Sequence, residues 1–236
     1  GKLESLPCLV EDHVYDDINT VPKNHIYAGL NNLFGEVTWF YPGSGAASNN
    51  RSVTYNYMDS TSERPIWTTS SLARSTWSDS HIFGKPHGTE YDADATSDAT
   101  VGNTEGVTVY YEHETGTNQI KAGATTAIAA SIQSGDFDLD QRGLAGDGEF
   151  MMKIRRVIPD FLQQTGSARV TLNLKSYPTD TEASSSLGPF EVDSDTTKVD
   201  TRARARAIAL KIDNTSITQH WKLGTFRLDI QPDGRR

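Results

Sequence analysis

The sequence holds a single cysteine, no long apolar run and no extended helical pattern. Cys8 alone cannot form an internal disulfide framework or a cysteine-based zinc site, and a small buried hydrophobe is its simplest interpretation. No apolar run approaches the length of a transmembrane helix. No segment keeps a helical apolar period long enough to predict a helix. We therefore expect a chain built from strands.

Short motifs of catalysis are also missing from the sequence. It contains no Gly-x-Ser-x-Gly elbow, no phosphate-binding loop and no dinucleotide-binding fingerprint. No cysteine–histidine pair and no pair of carboxylates stands out as hydrolytic machinery. We therefore expect a protein that is not an enzyme and that has no cofactor.

What the sequence does contain is typical of an all-β fold. Threonine, valine, isoleucine, tyrosine and serine dominate short runs, which glycine, asparagine, aspartate and proline interrupt. With 236 residues, of which 36% are hydrophobic, the chain can form one large β domain or two smaller ones. In the run Ser167–Tyr177, Ala168, Val170, Leu172 and Leu174 share one face, which predicts a half-buried strand.

The strand pattern changes between Ala127 and Gly148. Before this stretch, strands rich in aromatic residues alternate with polar turns, as they do in four-stranded propeller blades. After it, the predicted strands are longer and more regular. We therefore predict partial β-propeller blades in residues 1–131 and a β-sandwich-like platform domain in residues 132–236. Gly1 stands within sequence that looks structured, so we expect a piece of a longer polypeptide.

The stretch Thr196–Arg236 predicts a β-hairpin with strands at about Arg202–Ile212 and His220–Ile230. Side chains two residues apart share a face of a strand, so three arginines lie together, three apolar residues continue their face, and alanines line the other. The shared face comprises Arg202, Arg204, Arg206, Ile208, Leu210 and Ile212. One interpretation is that the arginines are solvated or paired with carboxylates of the same sheet. The other is that they form a charged face that contacts a partner outside the subunit. We expect at least two to meet carboxylates, and the nearest in sequence are Asp193, Asp195 and Asp200.

The charge of the chain is divided unevenly along its length. Residues 202–236 contain eight Lys or Arg and three Asp or Glu, which is a charge of +5. Since the whole chain carries −9, residues 1–201 carry −14. An acidic body with a basic end can join end to body in a ring of identical subunits. The net negative charge argues against ordinary nucleic-acid binding, which needs many contacts to phosphates, but not against a channel through which DNA slides. The candidate subunit-contact or channel-facing residues are Arg202, Arg204, Arg206, Arg227, Arg235 and Arg236.

Two clusters have partial metal-site patterns, although an ordinary strand explains each of them. The tripeptide Glu112–Glu114 places its two carboxylates on one strand face and His113 on the other, and no second histidine lies at ligand spacing. An aspartate-rich run resembles a calcium loop but departs from the EF-hand pattern at its sixth and twelfth positions. Its carboxylates are Asp136, Asp138 and Asp140. We expect no metal at either place.

Several motifs that follow one order resemble the tail hub or nozzle proteins of short-tailed bacteriophages, a group that includes packaged-DNA stabilisation and tail tubular B-like proteins. The motifs are distinctive in combination and cover most of the chain, most strongly residues 136–236. They are Trp39–Pro42, Tyr55–Tyr57, Ala73–Trp77, Phe137–Ile158, Pro159–Phe161, Tyr177–Pro178, Gly188–Pro189, Thr201–Ala207, Trp221–Gly224, Arg227–Asp229 and Pro232–Arg236.

The resemblance implies a β-propeller followed by a β platform, in a sixfold ring of identical subunits around the DNA channel of the virion tail. Such a ring sits below the portal and adaptor proteins, contacts tail fibres or spikes, retains packaged double-stranded DNA, and conducts it during ejection. The resemblance implies no membrane in the mature particle. Members of the family are longer than this chain, which would hold only the last blades and the platform.

A second hypothesis is a carbohydrate-binding or glycan-degrading tail module for host recognition. Exposed tryptophans suit stacking against sugars, and carboxylates could act beside them. The tryptophans are Trp39, Trp67 and Trp77, and the carboxylates are Asp92, Asp94, Glu112 and Glu114. An open groove with two facing carboxylates would favour this hypothesis, whereas a ring would favour the first.

Overall fold

The computed structural model describes residues 5–80, 82–92, 107–121, 123–139, 150–177 and 179–234. The described residues are mostly strand, so the expected all-β class is confirmed. They also include a short helix, α1 (Glu11–Asp17), and one turn of 3-10 helix (Lys23–His25). None of the helices described is long and apolar enough to cross a membrane.

The chain divides into two compact units, a first unit of residues Gly1–Thr115 and a second unit of residues Gly116–Arg236. The predicted boundary near Ser131 falls inside strand β10 of the second unit. The strands of the first unit are β1 (Tyr27–Asn31), β2 (Glu36–Tyr41), β3 (Arg51–Asn56), β4 (Ile66–Ser70), β5 (Thr76–Ser78), β6 (His87–Asp92) and β7 (Val107–Glu112).

The described residues of the first unit form two antiparallel sheets, β1-β2-β3-β4 and β5-β6-β7, in which each strand pairs with the next described strand in sequence. One face of the first sheet buries Phe40, whose ring stacks on Tyr27 at 5.1 Å and meets Trp77 at 5.4 Å. Gly29 allows this approach, because a Cβ there would lie 2.4 Å from the Trp77 ring. The Trp77 indole donates a hydrogen bond to the Leu30 carbonyl at 2.6 Å, which fixes the ring in place.

A buried arginine lies at the centre of the first unit. The side chain of Arg74 is only 4% exposed, and its guanidinium lies 4.0 Å from the Tyr111 ring centre. Its Nε donates to His113 Nε2 at 3.0 Å, and one terminal nitrogen pairs with Glu90 at 3.4 Å. A buried charge is stable only when such partners replace its water shell.

The same environment holds His113 in its neutral form. Burial, together with the positive charges of Arg74 and His87, lowers the pKa of His113 from 6.5 to about 4. Burial also raises the pKa of Tyr27 to about 12, although Arg74 opposes that shift. The Trp77 ring covers the imidazole at 4.5 Å. A proton on His113 would therefore face a guanidinium in a partly buried site.

The second unit begins at Gly116 and contains twelve strands among its described residues. They are β8 (Asn118–Lys121), β9 (Ala124–Ala127), β10 (Ala130–Gln133), β11 (Phe137–Asp138), β12 (Met152–Ile158), β13 (Phe161–Thr165), β14 (Ala168–Lys175), β15 (Ser185–Val192), β16 (Val199–Ala205), β17 (Ala207–Asn214), β18 (His220–Leu223) and β19 (Arg227–Pro232).

Two sheets of the second unit share one hydrophobic core. One sheet has the order β10-β17-β14-β15, with β11 added beside β17, and the other has the order β16-β12-β19. The pairs β13–β18 and β8–β9 stand beside them. Residues from both larger sheets meet in the core, and the fully buried ones include Met152, Ile154, Val157, Val170, Leu172 and Ile208. The predicted alternation in β14 is confirmed, because Ala168, Val170 and Leu172 are buried while the residues between them are partly exposed.

The predicted single strand over 202–212 is wrong, because the chain bends at Arg206 and passes from one sheet to the other. Strand β16 pairs with β12, whereas β17 pairs with β14, β10 and β11. Ala203 and Ala205 point into the core before the bend, and Ile208 and Ile212 point into it afterwards. Inward side chains therefore change from odd to even numbers, so the isoleucines do not continue the arginine face.

The predicted pairing of residues 202–212 with residues 220–230 is also wrong. Strand β18 pairs with β13, and β19 pairs with β12, so neither returns along β16 or β17. The reason is that the apolar side chains of the last strands, Leu228 and Ile230, pack against the shared core from the far side of β12. Burial in that core outweighs the local hairpin that the sequence spacing favours.

We predict that the first unit loses stability on mild acidification because of His113. The unfolded chain binds the imidazole proton near pH 6.5, while the folded unit resists it until about pH 4. The free energy of unfolding should therefore fall between these values, by at most about 3 kcal/mol at about 1.36 kcal/mol per pKa unit. Denaturant titrations followed by tryptophan fluorescence measure this fall, because Trp77 covers the imidazole.

The matched variants separate this imidazole from the carboxylates that titrate in the same range. His113→Gln keeps an acceptor for Arg74 but has no imidazole to protonate. The variant should therefore lack the part of the fall in the free energy of unfolding that His113 causes in the parent. His13→Gln changes an exposed histidine of α1 and should behave like the parent. Equal acid sensitivity in the parent and His113→Gln would show that His113 does not carry the effect.

Candidate functional site

The sheet β16-β12-β19 presents a cluster of basic side chains on its outward side. In β16, Thr201, Ala203 and Ala205 are buried, so the intervening Arg202 and Arg204 are exposed to solvent. We call the outward cluster of Lys153, Arg155, Arg202 and Arg204 the basic face. It contains two of the arginines that the sequence alone singled out and two residues that it did not.

A β-bulge places two consecutive cations of strand β12 on its solvent side. The register with both neighbouring strands shifts between Ile154 and Arg156. Ile154 and Val157 are both fully buried, so the two residues between them, Arg155 and Arg156, both avoid the core. A regular strand would have turned one of these two arginines inward. The bulge thus keeps two consecutive cations on the solvent side.

The basic face places like charges next to each other. Lys153 lies directly opposite Arg204 in the register of β12 and β16, and Arg155 lies within the register shift that follows. Like charges that face each other across two strands destabilise a sheet. Among the described residues, Lys153, Arg155 and Arg202 have no ion-pair or hydrogen-bond partner for their side chains. Stability of this sheet alone does not explain why the chain keeps cations there.

Ion pairs neutralise only the borders of the basic face. Arg204 forms an ion pair with Asp233 and also donates to the Asp233 carbonyl at 3.1 Å. Beyond the bulge, Arg156 and Lys198 both bind Asp200, at 2.9 and 3.1 Å. The hydrogen bond from Arg156 is the largest of the interactions that lower the pKa of Asp200. Asp233 is thus an ion-pair partner of one cation of the basic face, while Lys153, Arg155 and Arg202 have no such partner among the described residues.

Arg204 meets a carboxylate, as expected, but its partner is Asp233 and not one of the three carboxylates nearest in sequence, and Arg202 meets none among the described residues. Asp200 binds Arg156 instead, and Asp193 accepts hydrogen bonds within its own turn from Thr196 and the Asp195 amide. The hydroxyl of Thr196 is the main cause of the lowered pKa of Asp193. Local turn geometry thus occupies the carboxylates that lie nearest in sequence.

Two of the remaining predicted arginines, Arg206 and Arg227, lie apart from the basic face. Arg206 is half-buried at the bend between the sheets, where its backbone amide donates to the Lys175 carbonyl at 3.0 Å. Arg227 is exposed at the start of β19, opposite Ile158 at the other end of β12. Arg235 and Arg236 lie outside the described residues. Of the four candidates that the structure describes, only Arg202 and Arg204 therefore come together.

The sequence carried a signal for the residues that were missed. Lys153, Arg155 and Arg156 form a basic run within a strand-like segment, and they lie about fifty residues before the arginines of β16. The run indicates exposed cations, but it does not show which strand they face. The pairing of β12 with β16 supplies that information.

The partial metal patterns form no metal site among the residues that the structure describes. No group of three or more histidine, cysteine, aspartate or glutamate side chains is placed there to hold an ion. Asp136 instead accepts from Lys175 at 2.6 Å, Glu114 accepts from Asn31 at 3.2 Å, and His113 accepts from Arg74. Asp138 lies in β11, and Asp140 is outside the described residues.

The candidate sugar-binding tryptophans are divided between the two faces of the first sheet. Trp77 lies inside the first unit, against Phe40 and His113. Trp39 and Trp67 lie half-buried on the opposite face, where Trp67 stacks on Trp39 at 5.9 Å and packs at a tilt against Tyr55 at 4.8 Å. The Trp67 indole also donates to the Pro7 carbonyl at 3.0 Å. These rings pack on one another and do not form the open platform that sugar stacking needs.

The four associated carboxylates do not form a catalytic pair on the described surface. Glu112 lies opposite His87 in the β6–β7 register, whereas Glu114 follows the strand and bonds to Asn31. The side chain of Asp92 and all of Asp94 are outside the described residues. Comparison with protein-family models finds no match to this chain, and neither does comparison with curated proteins. Function is therefore inferred from the chain's own surfaces, of which the basic face is the most strongly charged one described above.

We predict that Lys153→Glu stabilises the second unit. A glutamate opposite Arg204 replaces cross-strand repulsion with attraction, which should raise the free energy of unfolding by roughly 0.5–1 kcal/mol at low salt. Lys153→Gln removes only the repulsion and should give a smaller gain. Lys222→Glu makes the same charge change at an exposed site on β18 and should leave the stability unchanged. A loss of stability in Lys153→Glu would contradict the proposed repulsion.

Proposed function

We propose that this protein is a structural component of a phage tail, a subunit of a hub or nozzle ring, and that it is not an enzyme. The observation that carries the proposal is the basic face of the second unit, which keeps unpaired cations in a chain that is acidic overall. The motif resemblance supplies the tail setting and the sixfold symmetry. The charge distribution supplies a physical means of holding identical subunits together.

The two units differ strongly in charge. The first unit contains six Lys or Arg and sixteen Asp or Glu, which gives −10, whereas the second unit carries +1. A basic face on one copy and an acidic unit on the next make a head-to-tail contact between different surfaces. Repeated contacts of this kind close into a ring when the rotation between subunits allows it. Opposite charges at the contact also orient the subunits before they touch.

We further propose that the first sheet is a propeller blade and that the second unit is the sandwich-like platform. Four antiparallel strands that pair in sequence order support the blade. Two sheets that bury their side chains in one core support the platform. In the virion, the ring would adjoin the portal and adaptor proteins and the tail fibres or spikes, and packaged DNA would pass through its lumen. An acidic lumen would repel phosphates and let the DNA slide.

We predict that the full chain associates with itself and that the association depends on the basic face. Raising the salt concentration should weaken it, because exposed charges are screened over about 10 Å at 0.1 M. Arg202→Glu reverses one unpaired cation and should weaken association by about tenfold or more. Sedimentation velocity over a series of protein and salt concentrations measures both effects.

Lys222→Glu is the matched control, because it reverses an exposed cation on a different sheet of the same unit. It should associate like the parent. A chain that stays monomeric under all these conditions would argue against the ring. So would an association that ignores salt, or one that Arg202→Glu leaves unchanged.

A further inference from the structure

An open polar cleft of about 490 Å³ lies on the outward side of the sheet β10-β17-β14-β15. Its volume is within the range of small-molecule binding sites. Its lining comes from strands β10, β14, β15 and β17 and from the two loops beside them. The side chains that matter below are Gln133, Asp136, Asn173, Lys175, Glu182 and Ser186, above Ala209.

The cleft exists because β17 carries a small residue between two polar strands. Ala209 lies directly opposite Asn173 in the register, and it is 2% exposed at the bottom of the cleft. Because its side chain is a single methyl group, groups on β10 and β14 reach each other across β17. The Asn173 side-chain amide donates to Gln133 Oε1 at 3.0 Å. A larger side chain at position 209 would stand in this space.

Hydrogen bonds fix the polar groups of the cleft in a row across the sheet. The Ser186 hydroxyl donates to Asn173 Oδ1 at 2.9 Å, which continues the chain that begins at Gln133. This chain uses one amide proton of Asn173 and none of the described bonds uses the amide protons of Gln133. Each amide thus keeps N–H groups for a ligand while its orientation is set by its neighbour. Preorganised donors and acceptors bind polar ligands at low ordering cost.

The charge of the cleft disfavours anions. Lys175, the one cation among the lining residues, forms an ion pair with Asp136 at 2.6 Å. Glu182 adds an uncompensated carboxylate beside it, so the lining has a net charge of −1. Phosphates, sulfates and acidic sugars would meet repulsion here. The lining is also mainly polar, so an apolar ligand would leave its amides and carboxylates without partners.

We propose that this cleft binds a neutral saccharide. Sugar hydroxyls both donate and accept hydrogen bonds, and they are closely spaced, so neighbouring hydroxyls can bond the amides of the row and the carboxylates of the lining at once. A ligand without charge avoids the repulsion from Glu182 and leaves the Lys175–Asp136 pair intact. The site is built from residues of the second unit and includes none of the candidate tryptophans. The proposal does not depend on whether the chain forms a ring.

The test uses the full 236-residue chain and a panel of neutral disaccharides, namely maltose, lactose, mannobiose and chitobiose. Glucuronic acid and inorganic phosphate serve as anionic probes. Two-dimensional NMR of the side-chain amide groups reports binding at Gln133 and Asn173 directly. We expect at least one disaccharide to shift these signals at millimolar concentration, with the anions giving smaller shifts.

Two variants and one control locate the binding. Gln133→Ala removes an exposed side chain and should weaken disaccharide binding about threefold to tenfold, as expected for loss of one or two hydrogen bonds. Ala209→Val partly fills the cleft and should weaken binding further. Gln163→Ala removes an exposed glutamine of β13, outside the cleft, and should bind like the parent.

Two sets of results would overturn the proposal. One is a panel in which no disaccharide shifts the amide signals, or in which the anions bind more tightly. The other is disaccharide binding that Gln133→Ala leaves unchanged. Because Gln133 is exposed on an edge strand, its variant should keep the parent's circular dichroism spectrum, so lost binding reports on the cleft and not on folding.

Discussion

The organisation of the second unit depends on the bend at Arg206, where one chain segment leaves one sheet and enters another. Before the bend the alanines of β16 enter the core, and after it the isoleucines of β17 do so. Because both sheets share that core, the side-chain alternation must change phase at the crossing. The change turns the arginines of β16 outward on one sheet and Ala209 outward on the other. The basic face and the polar cleft are thus two results of one packing constraint.

The first unit depends on a different constraint, the burial of Arg74. Its guanidinium is held by the Tyr111 ring, by Glu90 and by a histidine that must stay neutral. Such a network fixes the positions of the strands that contribute to it, because losing any one partner leaves a charge buried without compensation. An acidic outer surface and a cationic centre can therefore coexist in the same small unit.

Much of the local structure could be predicted from the sequence, because it depends on patterns within single strands. The bounds of β4 and β7 and the buried alternation of β14 follow from apolar and β-branched residues between turn residues. Helix α1 was not predicted, since its seven residues are too short to show a helical period. The prediction of a hairpin at 202–230 was wrong because β12, which is distant in sequence, lies between β16 and β19 and pairs with both.

The candidate sites were harder to predict, because both combine residues from distant strands. Arginine alternation gave Arg202 and Arg204, but their neighbours Lys153 and Arg155 required the strand pairing and the bulge. The cleft required the sheet order that brings Gln133, Asn173 and Ser186 together over Ala209. Side-chain periodicity identifies which face a residue takes, whereas long-range register decides which residues share it.

The central claim is that the basic face meets an acidic surface of a second copy. Cryo-electron microscopy of the assembled protein tests it most directly, because it shows what lies against Lys153, Arg155 and Arg202. The account predicts that carboxylates of the neighbouring copy's first unit lie within ion-pair distance, about 4 Å or less, of at least two of these three side chains. An assembly in which all three face open solvent or the lumen would contradict it.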